Sequence, residues 1–260
     1  MPNLDTIQPV ALPQDLARPP ITEALVDLRI ITDHTIDADR LRPLRDELKD
    51  VFPLADERRG FQANFRVEAG KLVPPAATDL GFQGIRLKTA DGSRIVQFRP
   101  DGFTFNNVGL GRYLGGDELL NEALRWWSRY QELTGVAAVV RLALRYLNRL
   151  DLPLHHGDQF KKFLVAPPEL PPGAPQMVSS FVSRIVAHDD TGAIAVVTQK
   201  LDRPKTQATI VPVIIDVDAS FMMEMEPKPE HLRGLLEILR TVKNRCFFSL
   251  LTDEAVKLYI

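Results

Sequence analysis

Arginine is the residue type in this chain whose abundance and spacing best fit a binding chemistry. It outnumbers lysine about two to one among the 32 basic residues. Arg141, Arg145 and Arg149 lie at even spacing in one strand-like segment, which places them on the same face of a sheet. The planar guanidinium group suits phosphate and carboxylate oxygens. The sequence therefore predicts a ligand-binding face made of Arg29, Arg66, Arg99, Arg141, Arg145, Arg149, Asp27, Asp216 and Asp218.

The same charged residues have other interpretations. They can form arginine–aspartate pairs that keep a sheet face solvated, which is the more ordinary role of charges on strands. They can bind or process a phosphorylated ligand. They can also bind nucleic acid on a curved sheet, which requires exposed aromatic side chains among the arginines, and the strands offer mainly Tyr146 and Phe105. The formal net charge of −2 makes nucleic acid the less favoured partner.

The first predicted strand also permits a comparison with triphosphate-tunnel enzymes, whose strands carry metal-binding acids and phosphate-binding bases. Glu23, Asp27 and Arg29 project to one side of that strand. Their spacing departs from the Glu-x-Glu-x-Lys pattern of those enzymes, so the comparison rests on chemical logic alone.

Two adjacent tryptophans suggest a surface for a protein partner. Trp126 and Trp127 lie about 100° apart on a predicted helix, so they cannot both point straight at the core. We expect one of them to be half exposed beside Arg125 and Arg129, where it would anchor a partner.

Catalytic signatures are missing from the sequence. It contains no GxSxG elbow, no phosphate-binding GxxxxGK[ST] loop and no HExxH spacing among its five histidines. The glycine-rich loop from Gly109 to Gly116 follows a hairpin, unlike the loop of a dinucleotide-binding fold. We therefore expect no cofactor, no metal and no catalytic residue. The favoured function is a non-enzymatic interaction or regulatory protein that binds another protein or a second copy of itself.

Composition points to an ordinary globular protein of the cytoplasm. Hydrophobic residues make up 45% of the chain and charged residues 25%. The single cysteine, Cys246, fits a reducing compartment. The first residues lack the charged and apolar regions of a signal peptide, and no apolar run reaches the length of a membrane span.

The order of predicted elements indicates the α+β class. Residues 1–19 are expected to form an extended arm, followed by two similar halves at 20–153 and 154–260. The halves have the orders β-α-β-β-β-β-α and β-α-β-β-β-α, with antiparallel sheets backed by long helices. This order is analogous to the TATA-binding-protein-like and helix-grip folds.

Two strand candidates and three helices give specific expectations within that plan. Residues 61–68 alternate so that Phe61 should face inward. Residues 139–150 read as a long strand, although their spacing also fits a helix. Helices are expected over 38–50 and 117–133, and a third should start near Pro229.

Four stretches resemble a sporadically distributed, uncharacterised family of bacterial and archaeal proteins of about this length. They are PPITEALVDLRI (19–30), IVQFRPDGFTFNN (95–107), RLALRYLNRLDLP (141–153) and LRTVKNRCFFSLLTDEA (239–255). The resemblance implies no activity and no site residue. The patchy distribution of that family suggests an accessory role, for example in conflict with phages or plasmids.

Overall fold

One antiparallel β-sheet organises the chain. A computed structural model describes residues 15–68, 71–154, 159–175, 178–202 and 210–260, but not the side chains of 63–77. Within these ranges nine strands pair in the order β2-β3-β4-β5-β1-β6-β9-β8-β7. The strands are β1 (Ile21–Ile31), β2 (Leu54–Glu68), β3 (Lys71–Lys88), β4 (Arg94–Arg99), β5 (Gly102–Val108), β6 (Ala138–Leu152), β7 (Val182–His188), β8 (Ile194–Leu201) and β9 (Val211–Phe221).

Two long helices, α3 and α4, pack on one face of this sheet. α3 contacts β1 and β5, and α4 contacts β6, β8 and β9. The helices are α1 (Ala38–Leu41), α2 (Pro43–Glu47), α3 (Gly116–Thr134), α4 (Pro229–Ser249) and α5 (Asp253–Val256), and a short 3-10 helix spans Phe160–Lys162. These helices and the antiparallel sheet confirm the α+β class. Among the described residues, no helix is long and apolar enough to span a membrane.

The helix expected over 38–50 begins as predicted but is broken. The Asp37 side chain accepts a hydrogen bond from the amide of Arg40 at 3.0 Å and caps α1. Pro43 has no N–H to bond the carbonyl four residues earlier, so α1 ends and α2 begins at this proline. The end of α3 follows the prediction, because Gly135 takes the left-handed conformation (φ 61°).

The hairpin between β4 and β5 depends on a glycine. Gly102 pairs with Arg99 in β4 and with Arg29 in β1. A Cβ atom at this position would lie 2.0 Å from the Leu28 carbonyl oxygen, and φ is +154°. Only glycine allows β1 to approach β5 so closely. The turn at Pro100-Asp101-Gly102 thereby fixes the register of the strands that carry Asp27 and Arg99.

Strand alternation divides the sheet into an apolar face and a polar face. On β1, Ala24, Val26 and Leu28 are completely buried against the helices. Asp27 and Arg29 point to the opposite side, which we call the open face. The same division continues along β6, so this segment is a strand and its helical interpretation is wrong.

Phe61 does not face the core. Its side chain is 66% exposed, so the predicted inward orientation is wrong. The register of β2 against β3 shifts between Gly60 and Phe61, and such an irregularity reverses the face on which the following residues lie. β2 is also an edge strand, which has a neighbour on one side only.

The two expected halves share this sheet. β1 pairs with β6 at its centre. From β1 the order continues as β5-β4-β3-β2, and from β6 as β9-β8-β7. By the expected bounds β6 belongs to the first half, so the two halves meet where β6 pairs with β9. The internal repeat and the likeness to TATA-binding-protein-like folds stay predictions.

Candidate functional site on the open face

The open face carries a depression of about 390 Å³ over strands β1, β4, β5, β6 and β9. Its floor is apolar at Ala143 on β6 and Leu25 on β1, which are diagonal neighbours because Ala143 pairs with Asp27 and Leu25 with Arg145. Its walls are polar and contain both charge signs. The lining residues are Leu25, Asp27, Arg29, Gln97, Thr104, Asn106, Arg141, Ala143, Arg145 and Asp218.

Asp27 is the best-connected acid of this depression. Its Oδ1 accepts hydrogen bonds from Arg99 Nη2 at 2.9 Å and from Thr104 Oγ1 at 2.6 Å. Its Oδ2 accepts a hydrogen bond from Arg141 Nη1 at 2.7 Å. Burial by itself would raise the pKa of Asp27, but Arg99, Thr104 and Arg29 stabilise the carboxylate and hold that pKa below its ordinary value. Asp27 is therefore an ionised carboxylate that connects its own strand, β1, to β4, β5 and β6.

Arg141 bridges two carboxylates. Its Nη1 donates to Asp27, and its Nη2 donates to Asp218 Oδ2 at 2.9 Å. Burial raises the pKa of Asp218 more than Arg141 and Arg145 lower it, and the charges of Asp216 and Asp27 add to the rise. The two acids on either side of Arg141 therefore have pKa values shifted in opposite directions.

Further pairs continue along β6. Arg145 makes a bidentate contact with Asp216, with nitrogen–oxygen distances of 2.8 and 2.6 Å. Arg149 donates to Asp151 and to Asp202, each at 3.0 Å. An anionic ligand would have to displace a carboxylate from these arginines. The open face is accordingly a charge-compensated network, which agrees with the pairing interpretation of the arginine–aspartate pattern.

The structure brings together most of the residues that the sequence singled out. Arg29, Arg141, Arg145, Asp27 and Asp218 line the depression. Arg99 and Asp216 form salt bridges with residues that line it, Asp27 and Arg145, whereas Arg149 lies farther along β6. The side chain of Arg66 lies outside the described residues, as do His155 and His156.

Three polar residues of the site were missed by the sequence reasoning. Thr104 and Asn106 alternate with buried phenylalanines on β5, and this alternation was the available signal. The third is Gln97. The Asn106 amide donates to Glu23 Oε1 at 2.5 Å, and its oxygen accepts a hydrogen bond from Gln97 at 3.4 Å.

Among the described residues, no group of three His, Cys, Asp or Glu is placed to hold a metal ion, so the triphosphate-tunnel comparison gains no support.

The expectation of an exposed tryptophan is wrong. Trp126 packs edge-on against Phe52 at 5.2 Å between ring centres, and its indole N–H donates to Glu122 at 3.1 Å. Trp127 is completely buried, and its N–H donates to the Pro227 carbonyl at 2.8 Å. Neither ring offers an anchor for a partner protein.

The aromatic side chains needed for nucleic-acid stacking also lie on the wrong face. Tyr146 and Phe105 are buried beneath the helices. The two aromatic residues that the sequence offered for nucleic-acid stacking among the arginines are therefore not available on the open face.

Exposed apolar side chains lie at both edges of the described sheet, on β2 and β3 (Leu54, Phe61 and Leu80) and on β7, the edge strand next to β8. Val182, Ile185 and Val186 are exposed to 65%, 58% and 47%. Val182 and Val186 point to the open face, while Ile185 points to the helix side, so both faces of this edge are apolar. Within the described part of the chain, β7 pairs with β8 alone.

Comparisons with known proteins define no class for this fold and site. No family model matches the chain, and no curated protein matches it. A solved structure described as "KH domains" aligns at 8% identity with a TM-score of 0.20, covering 86% of this chain and 63% of that chain. Similarity at this level carries no inference about fold or function.

Proposed function

We propose that this chain is a non-enzymatic interaction protein that binds an extended protein segment along the outer edge of β7. The observation that carries the proposal is an edge strand with large apolar side chains exposed on both faces. The outward N–H and C=O groups of the strand, which pair with no described strand, would hydrogen-bond the added segment, and its side chains would contact alternate residues of that segment.

The composition of β7 supports this role. Edge strands are normally protected from pairing by charges, prolines or bulges. β7 pairs with β8 in regular register over seven residues, and Arg184 is its one Asp, Glu, Lys or Arg. An apolar edge that carries a single charge still exposes hydrophobic surface, which a bound partner would bury. The partner is either a second copy of the chain, joined edge to edge, or a different protein that supplies a strand.

The first test is a charge placed on this edge. We expect Val186→Lys to weaken the association by at least about tenfold, because a partner would have to bury an ammonium group where it now buries a valine. Native mass spectrometry and sedimentation of protein purified gently from its own host will measure the assembly. A doubled chain mass identifies self-association, and a second chain identifies the partner.

The control is Leu110→Lys, which adds the same charge at another exposed apolar residue, in the glycine-rich loop. It should leave the assembly intact. A wild-type protein that remains one chain without a partner contradicts the proposal, and so does an equal loss in both variants. An accessory role in conflict with mobile elements rests on the family resemblance alone and is part of this proposal.

A further inference from the structure

A second depression lies at the opposite end of the sheet from β7. It has a volume of about 520 Å³ and occupies the notch between α2 and the start of β2. Arg45 and Lys49 stand four residues apart on one side of this notch, and Lys88 at the end of β3 forms the other side. Leu54 pairs with Lys88 in the sheet, so the strand edge connects the two sides.

The cations of this notch differ from the arginines of the open face in making no close ion pair with a described carboxylate, although Arg45 is near enough to Glu57 for its charge to lower the pKa of that acid. Among the described residues, no carboxylate lies within 4.0 Å of the charged nitrogens of Arg45, Lys49 or Lys88. Two acids also line the notch. Asp56 is neutralised by Arg86 at 3.0 Å, which leaves Asp46 as the opposing charge. The notch therefore has a net positive charge, which Asp46 and the nearby Glu57 offset only in part.

The remaining wall is apolar. Pro53 and Leu54 are exposed between the cations, whereas Phe52 behind them is only 1% exposed. A ligand that fits this wall has an anionic group for the cations and a flat or apolar body for the side chains. The volume lies within the range of pockets that hold small molecules.

We propose that this notch binds a small phosphate ester with a planar or apolar body, of the size of a nucleoside monophosphate. The phosphate contacts Lys49, Lys88 and Arg45, and the body lies along Pro53 and Leu54. Lysine and arginine are the side chains that phosphate groups most often meet in proteins. This site is separate from the arginine–aspartate network, where each arginine of the depression already contacts a carboxylate.

Binding can be measured with adenosine 5′-monophosphate as the probe, using amide signals of the full ¹⁵N-labelled chain. Inorganic phosphate and adenosine separate the contributions of the charge and the body. We expect saturable shifts at residues 45–56 and 88, with tighter binding of the monophosphate than of either fragment. Lys49→Gln and Lys88→Gln should each weaken binding about fivefold, as expected for one partly solvated charge contact.

The matched control is Lys200→Gln, which removes the charge of an exposed lysine on β8. It should bind like the wild type, and Val186→Lys should also leave this binding unchanged, because β7 lies at the other end of the sheet. The proposal is overturned by the absence of saturable shifts up to about 5 mM ligand, a limit near −3 kcal/mol. It is also overturned by equal affinity for phosphate and the monophosphate, or by an equal loss in Lys200→Gln.

Discussion

Asp27→Ala is expected to lower the free energy of unfolding by about 3 kcal/mol. The substitution removes the acceptor shared by Arg99 and Arg141, both of which are mostly buried. These guanidinium groups would keep their desolvation cost without the carboxylate that offsets it, and Thr104 would lose its acceptor. Urea denaturation followed by circular dichroism measures the change.

Asp101→Ala is the matched control for this prediction. Asp101 also contacts Arg99 and Arg29, but its side chain is 62% exposed. Exposed pairs contribute between 0 and about 1 kcal/mol, so the control should lose little stability. Equal losses in the two variants would show that Asp27 is not the centre of the network.

The pKa of Asp27 adds a dependence on pH with a definite sign. Because this pKa is lower in the folded chain than its ordinary value of 3.8, folding favours the ionised carboxylate. The resulting stability is fully present above the unfolded pKa and is lost as the pH falls through the folded one. The difference in the free energy of unfolding between the wild type and Asp27→Asn should therefore become smaller below about pH 4.

Sequence alternation was enough to predict the polar face of the sheet. The even spacing of Arg141 and Arg145 required that they share a face, and the strand at β6 confirmed it. Alternation could not predict which carboxylate each arginine contacts. Asp27 meets Arg141 across 114 residues of sequence, and that contact depends on β1 lying beside β6. Strand order is a property of the whole sheet, so it leaves no local pattern.

The tryptophans show a different limit. An amphipathic helix on a sheet has one buried side, and that assumption predicted an exposed ring. α3 is covered from more than one direction, because Phe52 contacts Trp126 while Phe103 and Pro227 contact Trp127. The apolar edge of β7 could not be predicted from the sequence for a related reason. Its residues resemble those of any central strand, and only the strand order places them at an edge.

Lys243 is a buried amine without an acidic partner among the described residues. It lies on α4 and is 8% exposed, with its Nζ atom 3.7 Å from the ring centre of Tyr146. No hydrogen bond or salt bridge joins its amine to another described residue. The Tyr146 hydroxyl lies 2.8 Å from that of Tyr113. Burial, together with the charge of Arg240, lowers the pKa of Lys243 to about 7.

Lys243→Met is therefore expected to stabilise the fold at pH 7, by about 2 kcal/mol. In the unfolded chain Lys243 is protonated below its ordinary pKa of 10.5, whereas in the folded chain it is protonated only below a pKa of about 7. The free energy of unfolding of the wild type should thus rise by about 2–3 kcal/mol between about pH 7 and pH 9.5. The methionine variant should lose most of this rise.

The measurement should stop near pH 9.5 because the tyrosines act in the opposite direction at higher pH. Burial raises the pKa of Tyr146 well above its ordinary value and also raises that of Tyr113. Their folded states keep protons that the unfolded chain releases, so stability falls above about pH 10. Lys243→Gln separates charge from shape, because it removes the ammonium group but leaves a buried polar group. If the methionine variant is less stable than the wild type at pH 7, the ammonium group is stabilised by its contact with Tyr146 rather than penalised by burial.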